Sequence, residues 1–407
     1  GPGLVWAGTA IGVSHLVQST RAGAGYGLAL LLIVVLANLF KYPAYEAGPR
    51  YAAATQTSLL AGYQKRGGWL LWVFLALTVS TMFTVIAAVT FVAAGMASAL
   101  ITDAIPVWAW SGILLLVTAA MLWVGRFKLL ERFMTVMMLV LSGSTLLSVL
   151  LLIPRTDFAS IPLGPLFPPL ERSHLLFVAG LVGWMPSALD TAVWHGLWCL
   201  EKADDEGRPL DAADARFDFD VGYIGTALLA CMFVFMGASV LYGSGREVPA
   251  SSVAFASMLV DAYTTALGPW ARPLILIAAF STMLSTTVAV TEGFPRALEG
   301  AVQQIRHGRI EPGHRTRVYW ASLAVCIVVA QLICVWFAGQ LKPLVDLATG
   351  LTGVTAPVFA MLNLAALRGD EVPEAMRPNG AYLAFHLAGI AFLWAMALLY
   401  LYARFLA

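Results

Sequence analysis

Polar and small residues interrupt two long apolar stretches of this sequence near their middles. The interruptions fall at residues 12–21 and 183–195. A carboxylate in mid-membrane costs about 2.5–3.5 kcal/mol, so polar groups placed there usually mark a binding site or an internal pair. The candidate substrate-binding residues are Gly12, Ser14, His15, Gln18, Arg21, Met185, Ser187 and Asp190.

The same side chains are compatible with two kinds of cargo. Imidazole, thioether and carboxylate groups bind divalent metals, so His15, Met185 and Asp190 are candidate metal ligands. Arg21, by contrast, offers paired donors to bicarbonate or a small carboxylate, and half-helix N-termini attract anions. Two structural alternatives stay open: Asp190 could pair internally with Arg21 or His195, and Arg21 could extend to the lipid headgroups.

The composition is typical of a polytopic membrane protein. Apolar residues make up 60% of the 407 residues, and charged residues make up 12%, about half the ~25% of soluble domains. A net charge of +1 and the lack of a basic tract exclude nucleic acid as a partner. The spacing groups no nucleophile with a base and an orienting acid, and no glycine loop could hold a phosphate. Neither an enzyme nor a cofactor is therefore expected.

Apolar runs bounded by charge, proline or glycine predict an all-α protein with eleven transmembrane helices. The shorter segment 250–268 is predicted to lie at the membrane interface or against the outer loops. Because helices 1 and 6 carry the interruptions, the pattern predicts two inverted repeats, 1–153 and 174–365, with an extra helix at 381–405. The predicted spans are 4–24, 26–48, 69–99, 107–125, 129–153, 174–199, 219–243, 271–303, 317–339, 343–365 and 381–405.

Positive charge is distributed unevenly between the two sides of this bundle. With a cytoplasmic N-terminus, seventeen Lys and Arg residues, Lys41 among them, fall on the inner side and six on the outer side. The positive-inside rule then predicts a cytoplasmic N-terminus and an outer C-terminus, in the inner membrane of a bacterium. Numbering starts at Gly1 rather than Met, so a short N-terminal tail is expected to be missing.

Several motifs resemble those of the Nramp (natural resistance-associated macrophage protein) family. Gly1-Pro2-Gly3 and Ala22-Gly23-Ala24 match the frame of the family's first helix. Further matches are the segment 51–63 (YAAATQTSLLAGY), Met185-Pro186, and the segment 281–298 (STMLSTTVAVTEGFPRAL). The ungapped frame sets the family's DPGN motif opposite Gly12 to His15, so this chain resembles a divergent branch that lacks that motif.

The resemblance implies a LeuT-type fold and a secondary transporter of divalent metal cations that works by alternating access. LeuT-type folds also place a sodium ion between helix 8 and helix 1, which implies Ser285 or Thr286 with carbonyls near residues 8–11 as a sodium site. The alternatives are an anion or small-carboxylate carrier, sodium-coupled or not, and a membrane sensor or scaffold that does not transport. The expected partners are a small ion or solute and the lipid bilayer, and the oligomeric state is left open.

Overall fold

The computed structural model describes residues 1–124, 128–161, 171–245, 248–310, 315–338 and 340–406, and in these ranges it is helical without strands. The helices are Pro2–Ala10 (α1), Thr20–Tyr26 (α2), Leu31–Thr55 (α3), Leu59–Arg66 (α4), Gly68–Leu100 (α5), Val107–Val124 (α6), Lys128–Leu152 (α7), Arg172–Trp184 (α8), Thr191–Glu206 (α9), Ala212–Val240 (α10), Ser252–Leu267 (α11), Arg272–His307 (α12), Arg317–Trp336 (α13), Leu341–Leu367 (α14) and Gly380–Phe405 (α15). Eight of them, α5 to α7, α10 and α12 to α15, are long and apolar enough to cross a membrane. The total of eleven spans stays a prediction.

Both predicted interruptions are present as breaks in helices. The first helix ends at Ala10, and a π-helical segment, Ser14–Ser19, leads into α2. The second break, residues 185–190, separates α8 from α9 and contains the cis peptide Met185-Pro186. Small and polar residues in the first break, and a proline without an N–H in the second, cannot continue a regular ladder of hydrogen bonds. The prediction of discontinuous helices 1 and 6 is therefore confirmed.

Small residues let the broken helices approach their neighbours closely. A Cβ atom built on Gly23 would lie 2.0 Å from the carbonyl oxygen of Val234, so only glycine allows α2 to meet α10 in this way. In the same manner, a Cβ on Gly48 of α3 would lie 1.9 Å from the carbonyl oxygen of Ala192 at the start of α9. Such contacts are typical of helix packing in membranes, where small residues replace a hydrophobic driving force.

Some of the predicted boundaries were wrong. The span predicted at 26–48 is the longer helix α3, and it continues past Pro43 and Pro49 to Thr55. Lys41 lies within both the predicted span and α3 and is fully buried, although the charge count had placed it on the inner side. Two other residues in that count, Arg126 and Arg246, lie outside the described residues. The segment 250–268 is the helix α11, and it packs against α5, α7 and α12.

Candidate functional site

A small cavity lies between the two breaks. Its volume is about 20 Å³, room for roughly one water molecule or one dehydrated ion. Polar groups from α1, the π-helical segment, α9 and α12 meet apolar side chains in its wall. The lining residues with polar side chains are Thr9, Ser14, Ser187, Thr191, Trp194 and Thr286.

Thr286 brings the end of α1 together with α12. Its Oγ1 lies 3.1 Å from the carbonyl oxygen of Gly8, 3.3 Å from that of Ile11 and 3.0 Å from that of Thr282. A threonine hydroxyl has one proton, so it can donate to one of these three carbonyls at a time. The other two carbonyl oxygens then face a hydroxyl oxygen, an arrangement that a positive charge would stabilise.

Ser14 connects the two breaks, and His15 supports it. The Oγ of Ser14 lies 2.8 Å from the carbonyl oxygen of Pro186 and 2.9 Å from that of Ala10. It also lies 2.8 Å from Nδ1 of His15, whose Nε2 lies 2.9 Å from the carbonyl oxygen of Thr226. Because that carbonyl can only accept, Nε2 carries a proton and donates it. Both nitrogens of the fully buried His15 are thus engaged within the protein.

Arg21 forms an internal ion pair with α14. Its Nη1 donates to Oδ1 of Asp346 at 2.8 Å and to Oε1 of Gln18 at 2.7 Å, and its guanidinium lies over the ring of Phe177. The two structural alternatives for Arg21, a pair with Asp190 and an extension to the headgroups, are therefore replaced by a pair with Asp346. Gln18 and Arg21 are thus hydrogen-bonded to each other, and neither residue lines the cavity.

Met185 and Asp190 occupy different surroundings at the two ends of the second break. Met185 is fully buried in an apolar cluster that includes Val34 and Val182, outside the cavity lining. Asp190 precedes α9 and is 2% exposed, and its Oδ1 has no hydrogen-bond partner within the described ranges. Neither ring nitrogen of His195 has a partner there either, so an Asp190–His195 pair is absent from the part of the chain that the structure describes.

Helix α3 supports the second break, a role that the sequence reasoning missed. The Nζ of Lys41 donates to the carbonyl oxygen of Gly183 at 2.8 Å, and one turn later the hydroxyl of Tyr45 donates to the carbonyl oxygen of Ser187. Gly48 then lies against Ala192. The spacing i, i+4, i+7 of polar and small residues on one helix face is the signal that could have revealed this contact.

A wide vestibule lies beside the cavity. Its volume is about 520 Å³, and it reaches from Gly1, Lys202 and Arg315 to Gly8, Thr282 and Ser285. Ser285 thus lines the vestibule, whereas Thr286 lines the cavity. Arg296 lies in the vestibule wall and binds Glu292 at 2.5 Å and Glu201 at 2.8 Å, which joins α12 to α9. Glu292 and Arg296 are an i, i+4 pair on α12.

The chain resembles known proteins along nearly its whole length. Residues 3–403 match the family model described as natural resistance-associated macrophage protein-like (Nramp). An uncharacterized protein of Pasteurella multocida strain Pm70 is 30% identical over 404 residues, which cover 98% of this chain and 91% of that protein.

Two solved structures share the fold at lower identity. The Eremococcus coleocola manganese transporter, in complex with an aromatic bis-isothiourea substituted compound, superposes with a TM-score of 0.71 at 17% identity, over 98% of this chain and 85% of that chain. MhsT in complex with L-phenylalanine gives a TM-score of 0.65 at 14% identity, over 99% and 97% of the two chains. The LeuT-type fold expected from the sequence is therefore confirmed.

Proposed function

Since the chain belongs to the Nramp family, an integral membrane family of secondary transporters, we propose that it carries a metal cation by alternating access and binds it between the two helix breaks. The observation that carries this proposal is the cluster of carbonyl oxygens around Thr286. Gly8 and Ile11 end a half-helix, where freed carbonyls and the negative end of the helix dipole favour cations. The cluster lies between the vestibule and the cavity, since Gly8 and Thr282 line the vestibule and Thr286 lines the cavity.

The donor set supports a hard divalent cation, such as manganese or magnesium. Hydroxyl and carbonyl oxygens suit magnesium, calcium and manganese, whereas thiolates and thioethers suit softer metals. The similar Eremococcus coleocola protein is a manganese transporter, which agrees with this class of cargo. Asp190 precedes the cavity-lining Thr191, and its buried Oδ1 lacks a partner in the described chain, so it would supply negative charge at the second break. We leave His15 and Met185 out of the ligand set. Both ring nitrogens of His15 have partners within the protein, and Met185 packs in an apolar cluster outside the cavity lining.

The vestibule also suggests which state of the transport cycle the structure represents. With the N-terminus in the cytoplasm, as the positive-inside rule predicts, the vestibule beside Gly1 opens to the cytoplasm. Arg21 and Asp346 then join α2 to α14 on the far side of the cavity. We therefore propose an inward-open state, in the inner membrane of a bacterium.

The second candidate for the transported ion is sodium bound at Thr286, because the same carbonyl cluster suits a monovalent ion.

Uptake into proteoliposomes tests the proposal. Purified protein is reconstituted, and entry of manganese or magnesium is followed by a fluorescent indicator with and without sodium. Thr286→Val removes the hydroxyl from the carbonyl cluster, and losing one ligand to a charged group costs about 1.5–3 kcal/mol. The apparent affinity should therefore fall about 10- to 150-fold, and Asp190→Asn should also weaken uptake.

Thr287→Val is the matched control. Thr287 is the next residue on α12, and its hydroxyl donates to the carbonyl oxygen of Met283 within the same helix at 2.9 Å. This variant should transport like the wild type. Equal affinities for Thr286→Val and Thr287→Val would contradict the site. A wild-type protein that moves bicarbonate but no metal would support the anion carrier instead, and a protein that moves neither would support the sensor or scaffold.

A further inference from the structure

Lys41 is a fully buried lysine in the middle of α3, with no exposed surface. Its described acceptor is the carbonyl oxygen of Gly183, 2.8 Å from Nζ, and it forms no ion pair with a carboxylate within the described ranges. Burying an ammonium group without a counter-ion is costly, and the group that it contacts offsets part of this cost. That group is the end of a helix.

Gly183 lies in the last turn of α8, directly before the second break. The last four carbonyls of a helix lack intrahelical donors, and they carry about half a negative charge. The carbonyl of Gly183 is therefore part of a cation-binding helix end, like the carbonyls of Gly8 and Ile11 at the end of α1. The two ends differ in what they hold, because Lys41 occupies the α8 end and no lysine occupies the α1 end in the described chain.

The neighbouring contacts hold the amino group in this place. Tyr45, one turn after Lys41, donates to the carbonyl oxygen of Ser187, and Gly48 lies against Ala192. On the other side of the helix end, a Cβ on Gly183 would lie 2.6 Å from the carbonyl oxygen of Thr349 in α14. The end of α8 is thus enclosed by α3 and α14, and Lys41 reaches it from within the protein.

We propose that Lys41 is a built-in cation, whose ammonium group permanently occupies the cation-binding end of α8. A mobile cation can then bind at the α1 end alone. This inference rests on the proposed function, because it limits the number of mobile cations that bind at the two breaks in one transport cycle. Its test does not depend on transport.

Rescue by small cations tests the proposal. Lys41→Ala leaves the carbonyl of Gly183 facing an empty space the size of the lysine side chain. Thermal unfolding of the purified variant is measured with increasing ammonium, methylammonium, sodium or potassium chloride, and choline chloride controls for ionic strength. A ligand that binds the folded state raises the midpoint. We expect a lower midpoint for Lys41→Ala than for the wild type, and a rise of several degrees with at least one small cation beyond the choline value.

Three further variants complete the test. The wild type and Lys65→Ala, which removes an exposed lysine of α4, should respond to small cations no more than to choline. Lys41→Arg, which keeps the charge, should stay closer to the wild-type midpoint than Lys41→Met, which fills the volume without charge. If Lys41→Ala does not fold, Lys41→Ser, which leaves room for a small cation, receives the same cation titration. A Lys41→Met protein as stable as the wild type, or no cation-specific rise in Lys41→Ala or Lys41→Ser, overturns the proposal.

The two proposals fail separately. If the wild type transports no metal but Lys41→Ala is rescued by a small cation, the proposed function is wrong and the built-in cation stands. If the wild type transports manganese and no cation rescues either variant, the transport function stands and the role of Lys41 is wrong.

Discussion

Gly12 and Thr286 are packed so closely that one added methyl group should disturb the proposed cation site. A Cβ built on Gly12 would lie 2.8 Å from Cγ2 of Thr286 and 3.2 Å from its Oγ1. Carbon atoms normally approach to about 3.5–4.0 Å, so Gly12→Ala requires a shift of at least about 0.7 Å. Thr286 cannot easily rotate away, because a β-branched side chain in a helix is stiff and its hydroxyl contacts three carbonyls.

The expected cost of Gly12→Ala follows from this overlap. Overpacking by one methyl group costs about 1–3 kcal/mol, which for a chain of this length lowers the unfolding midpoint by about 1–4 °C. Because the displaced residue is Thr286, the apparent metal affinity should fall as well. Gly12→Asp should cost more, since it adds a charge to the same overlap. A carboxylate at this position, as in the family's DPGN motif, would thus require a smaller residue at position 286.

A double mutant separates packing from chemistry. Thr286→Ser removes the Cγ2 atom that collides and keeps the hydroxyl, so Gly12→Ala with Thr286→Ser should recover most of the lost stability and affinity. Contacting residues typically couple by about 0.5–3 kcal/mol. Gly25→Ala is the control in the same broken helix, since a Cβ there meets nothing within 4 Å. If Gly12→Ala unfolds and transports like Gly25→Ala, the geometry described around Thr286 is incorrect.

Two further contacts give measurable expectations. Loss of the Arg21–Asp346 pair should cost less than about 1 kcal/mol, because Asp346 is 42% exposed and water screens exposed pairs. Arg21→Gln should cost more than Asp346→Asn in thermal unfolding, since it also deprives the buried Gln18 of its donor; the reverse order would contradict the assignment. Tyr45→Phe should destabilise the protein by about 1–3 kcal/mol, because the buried carbonyl of Ser187 loses its donor. An unchanged unfolding midpoint would show that the break does not depend on α3.

The parts of the site that the sequence predicted are those with local signals. Polar residues and a proline inside apolar runs marked both breaks, because such residues cannot continue a lipid-facing helix at low cost. The row of hydroxyls on α12, with the resemblance to LeuT-type folds, indicated that Ser285 or Thr286 would meet carbonyls near residues 8–11. The structure brings Thr286 within 3.3 Å of two of them.

The parts that the sequence did not predict depend on distant partners. Arg21 was open to several interpretations because Asp346 lies 325 residues away in the chain. Lys41 was counted among the inner-side charges, and its partner, the carbonyl oxygen of Gly183, lies 142 residues away in the chain. The helix continues there because its polar groups find partners in the second break, which becomes a neighbour only when the chain is folded.

The charged residues near the breaks narrow the class of transported substrate more than membership of the family does. Arg21 is paired with Asp346, and Lys41 donates to a helix end, so each of these cations has a partner within the protein. Asp190 keeps a buried oxygen without a partner in the described chain. The groups gathered around Thr286 are carbonyl and hydroxyl oxygens, which would repel an anion and coordinate a cation. With one helix end already occupied by Lys41, the charge balance favours a single cation at the end of α1.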